Sequence, residues 1–166
     1  SKIDGLVGDQ AVMAVFEEMY ARGGLFFNSA GNDSRQNPER QVFEQIMLVA
    51  NTNSSDIRNS DSNYGDGIDI AAPGMNILST VPSGANATGY DSLSGTSMAS
   101  PNAAGVAALI WSRFPNYTRD QVVATLVASA DNIDAQNPGF IDQLGAGRAN
   151  ARRALTEAVP PPRFGA

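Results

Sequence analysis

Neither cysteine nor histidine occurs anywhere in the 166 residues. The absence of cysteine excludes disulfides and thiolate metal sites and leaves the redox compartment unmarked. The absence of histidine means that chemistry needing an imidazole base must draw it from outside this chain. Lysine is nearly missing too: Lys2 stands alone among 11 basic residues, set against 17 acidic ones for a net charge of −6. That balance, with no basic block, argues against nucleic acid and anionic membrane as partners. No apolar run is long enough to span a bilayer, and the opening residues show no secretory leader pattern.

What remains is a chain rich in small residues and punctuated by 16 glycines and 9 prolines. Its length suits one domain, or a large piece of one, with a real core. Residues 1–9 read as loop. Over residues 10–22, Val12, Val15, Phe16 and Met19 recur at helical spacing, which predicts one buried stripe; Gly23-Gly24 stops the helix. Leu25-Phe26-Phe27 reads as a buried strand emptying into the turn Ser29-Ala30-Gly31-Asn32-Asp33. Further strands are predicted at 46–50, at 68–71 (ended by Pro73-Gly74) and at 76–80. Residues 34–44 read as loop with a helical turn, and 51–63, dense in Asn, Ser and Asp, as a surface loop. Apolar strands without alternation, interleaved with helices, predict an α/β fold with a mostly parallel sheet covered on both faces.

The stretch around which the chain is organised is Gly95-Thr96-Ser97-Met98-Ala99-Ser100-Pro101, followed by a helix predicted to run to Arg113. That helix is apolar nearly all round, which predicts burial in the middle of the domain. A serine at a helix start lies in the positive end of the macrodipole, beside backbone N–H groups that lack intrahelical partners. Such groups can hold the negative charge that develops in acyl transfer. Pro101 is tolerated in the first turn because its missing N–H would have had no partner there. The plainer alternative makes Ser97 an ordinary N-cap on a buried Ala-rich helix.

Residues 95–101 resemble the nucleophile motif of the subtilisin-like serine proteases. The resemblance covers residues 10–157 and corresponds to the C-terminal half of that catalytic domain, with its three-layer, doubly wound, mostly parallel sheet. It implies that Ser97 is the nucleophile. The strand ending in Ala30-Gly31-Asn32 is similar to the segment carrying the family's oxyanion-hole asparagine, so Asn32 would donate from its side-chain amide, with the Ser97 N–H alongside. One such donor stabilises a transition state by about 3–4 kcal/mol. By the same resemblance, Ser29, Ala30 and Gly31 would line part of the substrate pocket, and Ala72-Pro73-Gly74 corresponds to the family's Ala-Pro-Gly segment. Asn102 stands where the family usually has a histidine that is not the catalytic base.

The mechanism so implied is peptide-bond hydrolysis through an acyl-enzyme, and it needs a histidine oriented by a carboxylate to activate the serine. In the family both lie upstream of the asparagine and serine. The expectation is therefore a serine endopeptidase fragment acting on protein or peptide substrates and inactive alone, with its own N-terminal half as the necessary partner. Asp33 and Asp91 lie near the motifs, but a carboxylate cannot replace an imidazole near neutral pH. A truncated sheet edge and an uncovered helix face predict self-association. No cofactor is required for the chemistry. Structural calcium belongs to the family's full-length domain, but here Asp56 and Asp61 fit no ligand loop. Asn53 replaces an aspartate that often helps bind a weak cation, so no metal ligand is assigned. Secretion is implied by the resemblance only, and the sequon at 86–88 adds little.

Two rivals remain in the sequence: a non-catalytic binding or scaffold domain that kept the fold, and an unrelated esterase. The esterase is disfavoured because no Gly-x-Ser-x-Gly elbow surrounds Ser97. Downstream, Thr118 and Gln121 form a predicted capping box. Residues 131–143 read as loop, and Asn150 is the predicted N-cap of a last helix through residue 158. Residues 159–166, with Pro160-Pro161-Pro162, read as a stiff tail or cut linker beyond a domain spanning 1–158.

Overall fold

The computed structural model describes residues 10–37, 46–82 and 88–156. The loop expected at 1–9, residues 38–44 of the loop expected at 34–44, the start of the sequon, the last two residues of the helix expected to run through 158 and the tail at 159–166 lie outside them.

Helix α1 (Gln10–Ala21) leads into strand β1 (Phe26–Ser29), then β2 (Ile46–Thr52) and β3 (Ile70–Pro73). These three strands form a parallel sheet in the order β1-β2-β3, with Phe26 opposite Ile46 and Val49 opposite Ile70. Strands β4 (Ile77–Thr80) and β5 (Tyr90–Leu93) form a separate antiparallel ribbon. Helix α2 (Thr96–Arg113), helix α3 (Arg119–Ala128), a 3-10 turn (Asp134–Gln136) and helix α4 (Ala151–Thr156) complete the described chain.

Side chains alternate across β2, so Met47 and Val49 face one layer and Leu48 and Ala50 the other. The first layer packs Met47, Val49, Ile70 and Ala72 against Ala99, Ala103, Ala107 and Ile110 of α2, with Val122 and Leu126 of α3 behind them. The second packs Leu48, Ala50 and Ala71 against Ile133 and Leu144, with Tyr64 and Phe140 alongside. Both faces of the sheet are thus covered, which is why its strands read as unbroken apolar runs.

Local signals placed the helix ends. Thr118 accepts the Gln121 backbone N–H and Gln121 returns a bond to the Thr118 N–H, so the capping box is complete. Asn150 Oδ1 accepts the Arg153 N–H at 3.0 Å, the N-cap contact expected for α4.

Three expectations are corrected. The stripe on α1 is not buried as a unit: Val15 is 57% and Met19 46% exposed. The helix is held instead through Phe16, edge-on to Phe26 at 4.7 Å, and Tyr20, which lies beneath the Arg119 guanidinium. These two residues share a line at i, i+4, whereas Val15 and Met19 lie on the neighbouring line and stay about half exposed. Helix α2 is buried on one face only, with Gly105, Ala108 and Leu109 exposed opposite the sheet. Finally, the surface loop does not begin at residue 51. Asn51 and Thr52 continue β2 and are completely buried, and Ser62 and Asn63 return to the interior.

Candidate active site

The start of α2 is set by glycine and threonine rather than by the serine. Gly95 is the N-cap, with φ 149° and ψ 167° and no side-chain cap bond. That φ favours glycine. A Cβ at Gly95 would also press on the Asn32 amide, 3.3 Å from Nδ2. The Gly95 carbonyl accepts the N–H groups of Met98 (3.0 Å) and Ala99 (3.3 Å) to open the helix. Ser97 is therefore the second helical residue, not the cap, and its side chain is exposed. Its N–H belongs to the first turn, where no intrahelical acceptor exists.

Thr96 joins this turn to the loop after β1. Its N–H donates to Asn32 Oδ1 at 3.0 Å and its hydroxyl donates to the same oxygen at 2.9 Å. The hydroxyl in turn accepts the Gly31 N–H at 3.2 Å. Thr96 is fully buried, so this joint lies under the surface that carries Ser97 and Asn32. With both bonds falling on Oδ1, the carboxamide is oriented and only Nδ2, a pure donor, is left to face outward. Two residues 65 apart in sequence, Asn32 and Ser97, are thereby brought to one site, and both are exposed.

The remaining predicted residues lie beside them. Ser29 ends β1 and is buried, Ala30 is wholly buried, and Gly31 turns with φ 102°. Their backbone is held by Asn63, which no motif or spacing singles out. Its Nδ2 donates to the Ala30 carbonyl at 2.9 Å, its N–H donates to the Gly31 carbonyl at 2.9 Å, and its Oδ1 accepts the N–H groups of Asp33 and Arg35. On the other side, the Gly95 N–H donates to the Gly74 carbonyl at 2.8 Å and Asn102 Nδ2 donates to the Pro73 carbonyl at 2.7 Å. The Ala72-Pro73-Gly74 segment thus braces the serine turn. Among the described residues no hydrogen bond joins Asp33 or Asp91 to Ser97; the Asp33 backbone N–H donates to Asn63 Oδ1, and Asp91 Oδ1 accepts the Ser92 N–H.

Asn53, at the position where the resemblance implied a weak cation ligand in other members, lies in the loop after β2. Its Oδ1 accepts the N–H groups of Ser55 at 2.9 Å and Ile57 at 3.1 Å, so that oxygen closes a turn.

A family model described as the subtilase family, peptidase S8, matches residues 3–147. The chain belongs to the subtilase family. Among its relatives, a thermostable alkaline protease of Halalkalibacterium halodurans is 46% identical over 130 residues, covering 76% of this chain and 34% of that protein. An extracellular protease of Xanthomonas campestris is 41% identical over 146 residues, covering 84% of this chain and 24% of that protein. Among solved structures, a protease of Pseudoalteromonas arctica superposes with a TM-score of 0.76 at 30% identity, covering 89% of this chain and 46% of that one. This subtilase chain therefore has the α/β architecture of the subtilisin-like proteases, and it spans less than half the length of each of these relatives.

Proposed function

We propose that this chain is the nucleophile-bearing portion of a serine endopeptidase that cleaves protein or peptide substrates through an acyl-enzyme. The observation that carries this reading is the Thr96 joint, which holds Asn32 with its amide donor free beside the exposed Ser97.

In the reaction, Ser97 Oγ attacks the scissile carbonyl carbon as its proton passes to a base. The carbonyl oxygen becomes an oxyanion and accepts from the Ser97 N–H and from Asn32 Nδ2. The amine product leaves with a proton, and water then attacks the acyl-serine to release the acid. Because the chain contains no histidine, the base and its orienting carboxylate come from an N-terminal segment, which we propose as its partner. Alone, the chain is proposed to be inactive. Ser29, Ala30 and Gly31 are proposed to lie along one wall of the pocket for the substrate side chain, their backbone fixed by Asn63. No cofactor enters the chemistry. Secretion of the whole protein is proposed from its likeness to the extracellular Xanthomonas campestris protease.

The test is hydrolysis of a denatured protein substrate by the full-length protein. Activity that disappears in Ser97→Ala while the variant keeps its melting temperature supports the reading. A full-length protein that binds peptides without cleaving them would favour a scaffold domain instead.

A further inference from the structure

The residue before the last of strand β2, Asn51, does not suit a core strand. Asn51 shares the face of Met47 and Val49, which packs against α2, and it is completely buried. Its backbone is satisfied, the N–H by Ser62 Oγ at 3.0 Å and the carbonyl by the Asn59 N–H at 2.9 Å. Its side chain is not: neither Oδ1 nor Nδ2 has a hydrogen-bond partner. A buried unpaired amide costs about 1–3 kcal/mol, and such groups are retained where they have a task. A residue needed only for packing here would be an aliphatic one like its neighbours on the strand.

The carboxamide lies beside the turn that opens α2. A Cβ on Gly74 would meet the Asn51 carboxamide and also the Gly95 carbonyl oxygen, the latter at 2.6 Å. The Asn51 amide and the Gly95 carbonyl therefore border the same small space, which exists because residue 74 is glycine. A half-turn of the amide about Cβ–Cγ puts the Nδ2 donor where Oδ1 lies, on the border of that space. The Gly95 carbonyl is the acceptor that opens α2, and the N–H of the same peptide unit belongs to Thr96 and donates to Asn32. A donor on one end of a peptide group strengthens the bond made by the other.

We propose that Asn51 is a positioning residue for the active site. Its buried carboxamide supports the Gly95–Thr96 peptide, and through Thr96 it steadies Asn32 and its oxyanion donor. This inference rests on the reading of Ser97 as a nucleophile and Asn32 as its oxyanion partner.

The experiment uses the full-length protein and a fluorophosphonate probe, measuring kinact and KI for wild type, Asn51→Leu and Asn51→Ala, each with its melting temperature. Leucine replaces the amide by an apolar group of similar size, and alanine keeps the series interpretable if leucine does not fold. The expected result is a fall in kinact of roughly tenfold with KI unchanged, a coupling of the size found within one hydrogen-bond network. Stability should hold or rise in Asn51→Leu. The fall should also disappear when the same substitutions are made in an Asn32→Ala background. A labelled wild type with unchanged kinact in both variants overturns the inference, as does an equal fall in both backgrounds. A wild type that takes no label overturns the reading of Ser97, and this inference with it.

Discussion

At the scale of single residues, the site turns on how an asparagine is made to point one way. A free carboxamide offers a donor and an acceptor with equal ease. Asn32 is deprived of that choice because the Thr96 N–H and hydroxyl both take its oxygen. In the full-length protein, Asn32→Ala is expected to lower the turnover rate by about 10²–10³-fold, the loss typical of an oxyanion donor, with little change in KM. Thr96→Val removes the hydroxyl but keeps the N–H, and a smaller loss in turnover is expected, recovered in Thr96→Ser. Equal activity in Thr96→Val and wild type would show that the backbone bond alone orients the amide. The family was legible in the sequence through the two segments that carry Asn32 and Ser97, because each matches a specific motif. Asn51 and Asn63 were not, because asparagine among Asn, Ser and Asp reads as solvated turn. What buries them is backbone from residues distant in sequence: Ala30, Gly31, Gly74 and Gly95.

At the scale of elements, the helix starts and stops were legible wherever the signal was local, as at Thr118–Gln121 and Asn150. Sidedness was less so. The apolar positions of α1 and α2 mark surfaces fit for burial, but burial itself depends on a neighbour that periodicity does not describe. One tertiary tie between elements carries its own pH dependence. Asp131 pairs with Arg148 and Arg153 and accepts from Asn150 Nδ2, joining the end of α3 to the start of α4; Arg148 also reaches Asp56 at 2.6 Å. Burial alone would raise the Asp131 carboxyl. The hydrogen bonds from Asn150 and Arg153, with the charges of Arg148 and Arg153, outweigh it and hold the group below its ordinary 3.8. A carboxyl lowered on folding stabilises above its unfolded value and loses that contribution as pH falls through the folded one. Asp131→Asn is therefore expected to cost about 1–3 kcal/mol near neutral pH, as loss of charge-assisted hydrogen bonds does. The difference from wild type should shrink as pH drops below about 4. Melting curves from pH 7 to pH 3 check this; a constant difference would mean that the ionic contacts do not matter.

Asp69 works with the opposite sign. Burial raises its carboxyl, partly opposed by the Leu48 N–H bond of 2.6 Å. Its ionised form is therefore less stable in the folded chain, and its contribution worsens as pH rises from the unfolded value through the folded one. Asp69→Asn, which can keep the Leu48 bond through Oδ1, is expected to leave stability near neutral pH unchanged or slightly higher. A large loss would mean that the charge itself is needed.

At the scale of the whole molecule, the parallel sheet, its two covered faces and the family were all legible, because they rest on strand composition and one long motif. The uncovered surface is where the proposed partner segment enters the account. Val15 and Met19 on α1 and Leu109 on α2 are exposed, and Gly105 has nothing within 4 Å of the space its Cβ would fill. Apolar surface of this kind favours association. The chain alone is expected to self-associate at micromolar concentration, and sedimentation should show this reverting when the upstream segment is restored. A strictly monomeric isolated chain would contradict it.

We propose that Ser97 is a nucleophile whose base lies outside this chain. Intact mass after fluorophosphonate treatment tests it most directly, on the chain alone and again with its N-terminal segment restored. No adduct is expected on the chain alone and one adduct in the restored protein, abolished by Ser97→Ala. An adduct on the isolated chain, or none in the restored protein, would contradict it.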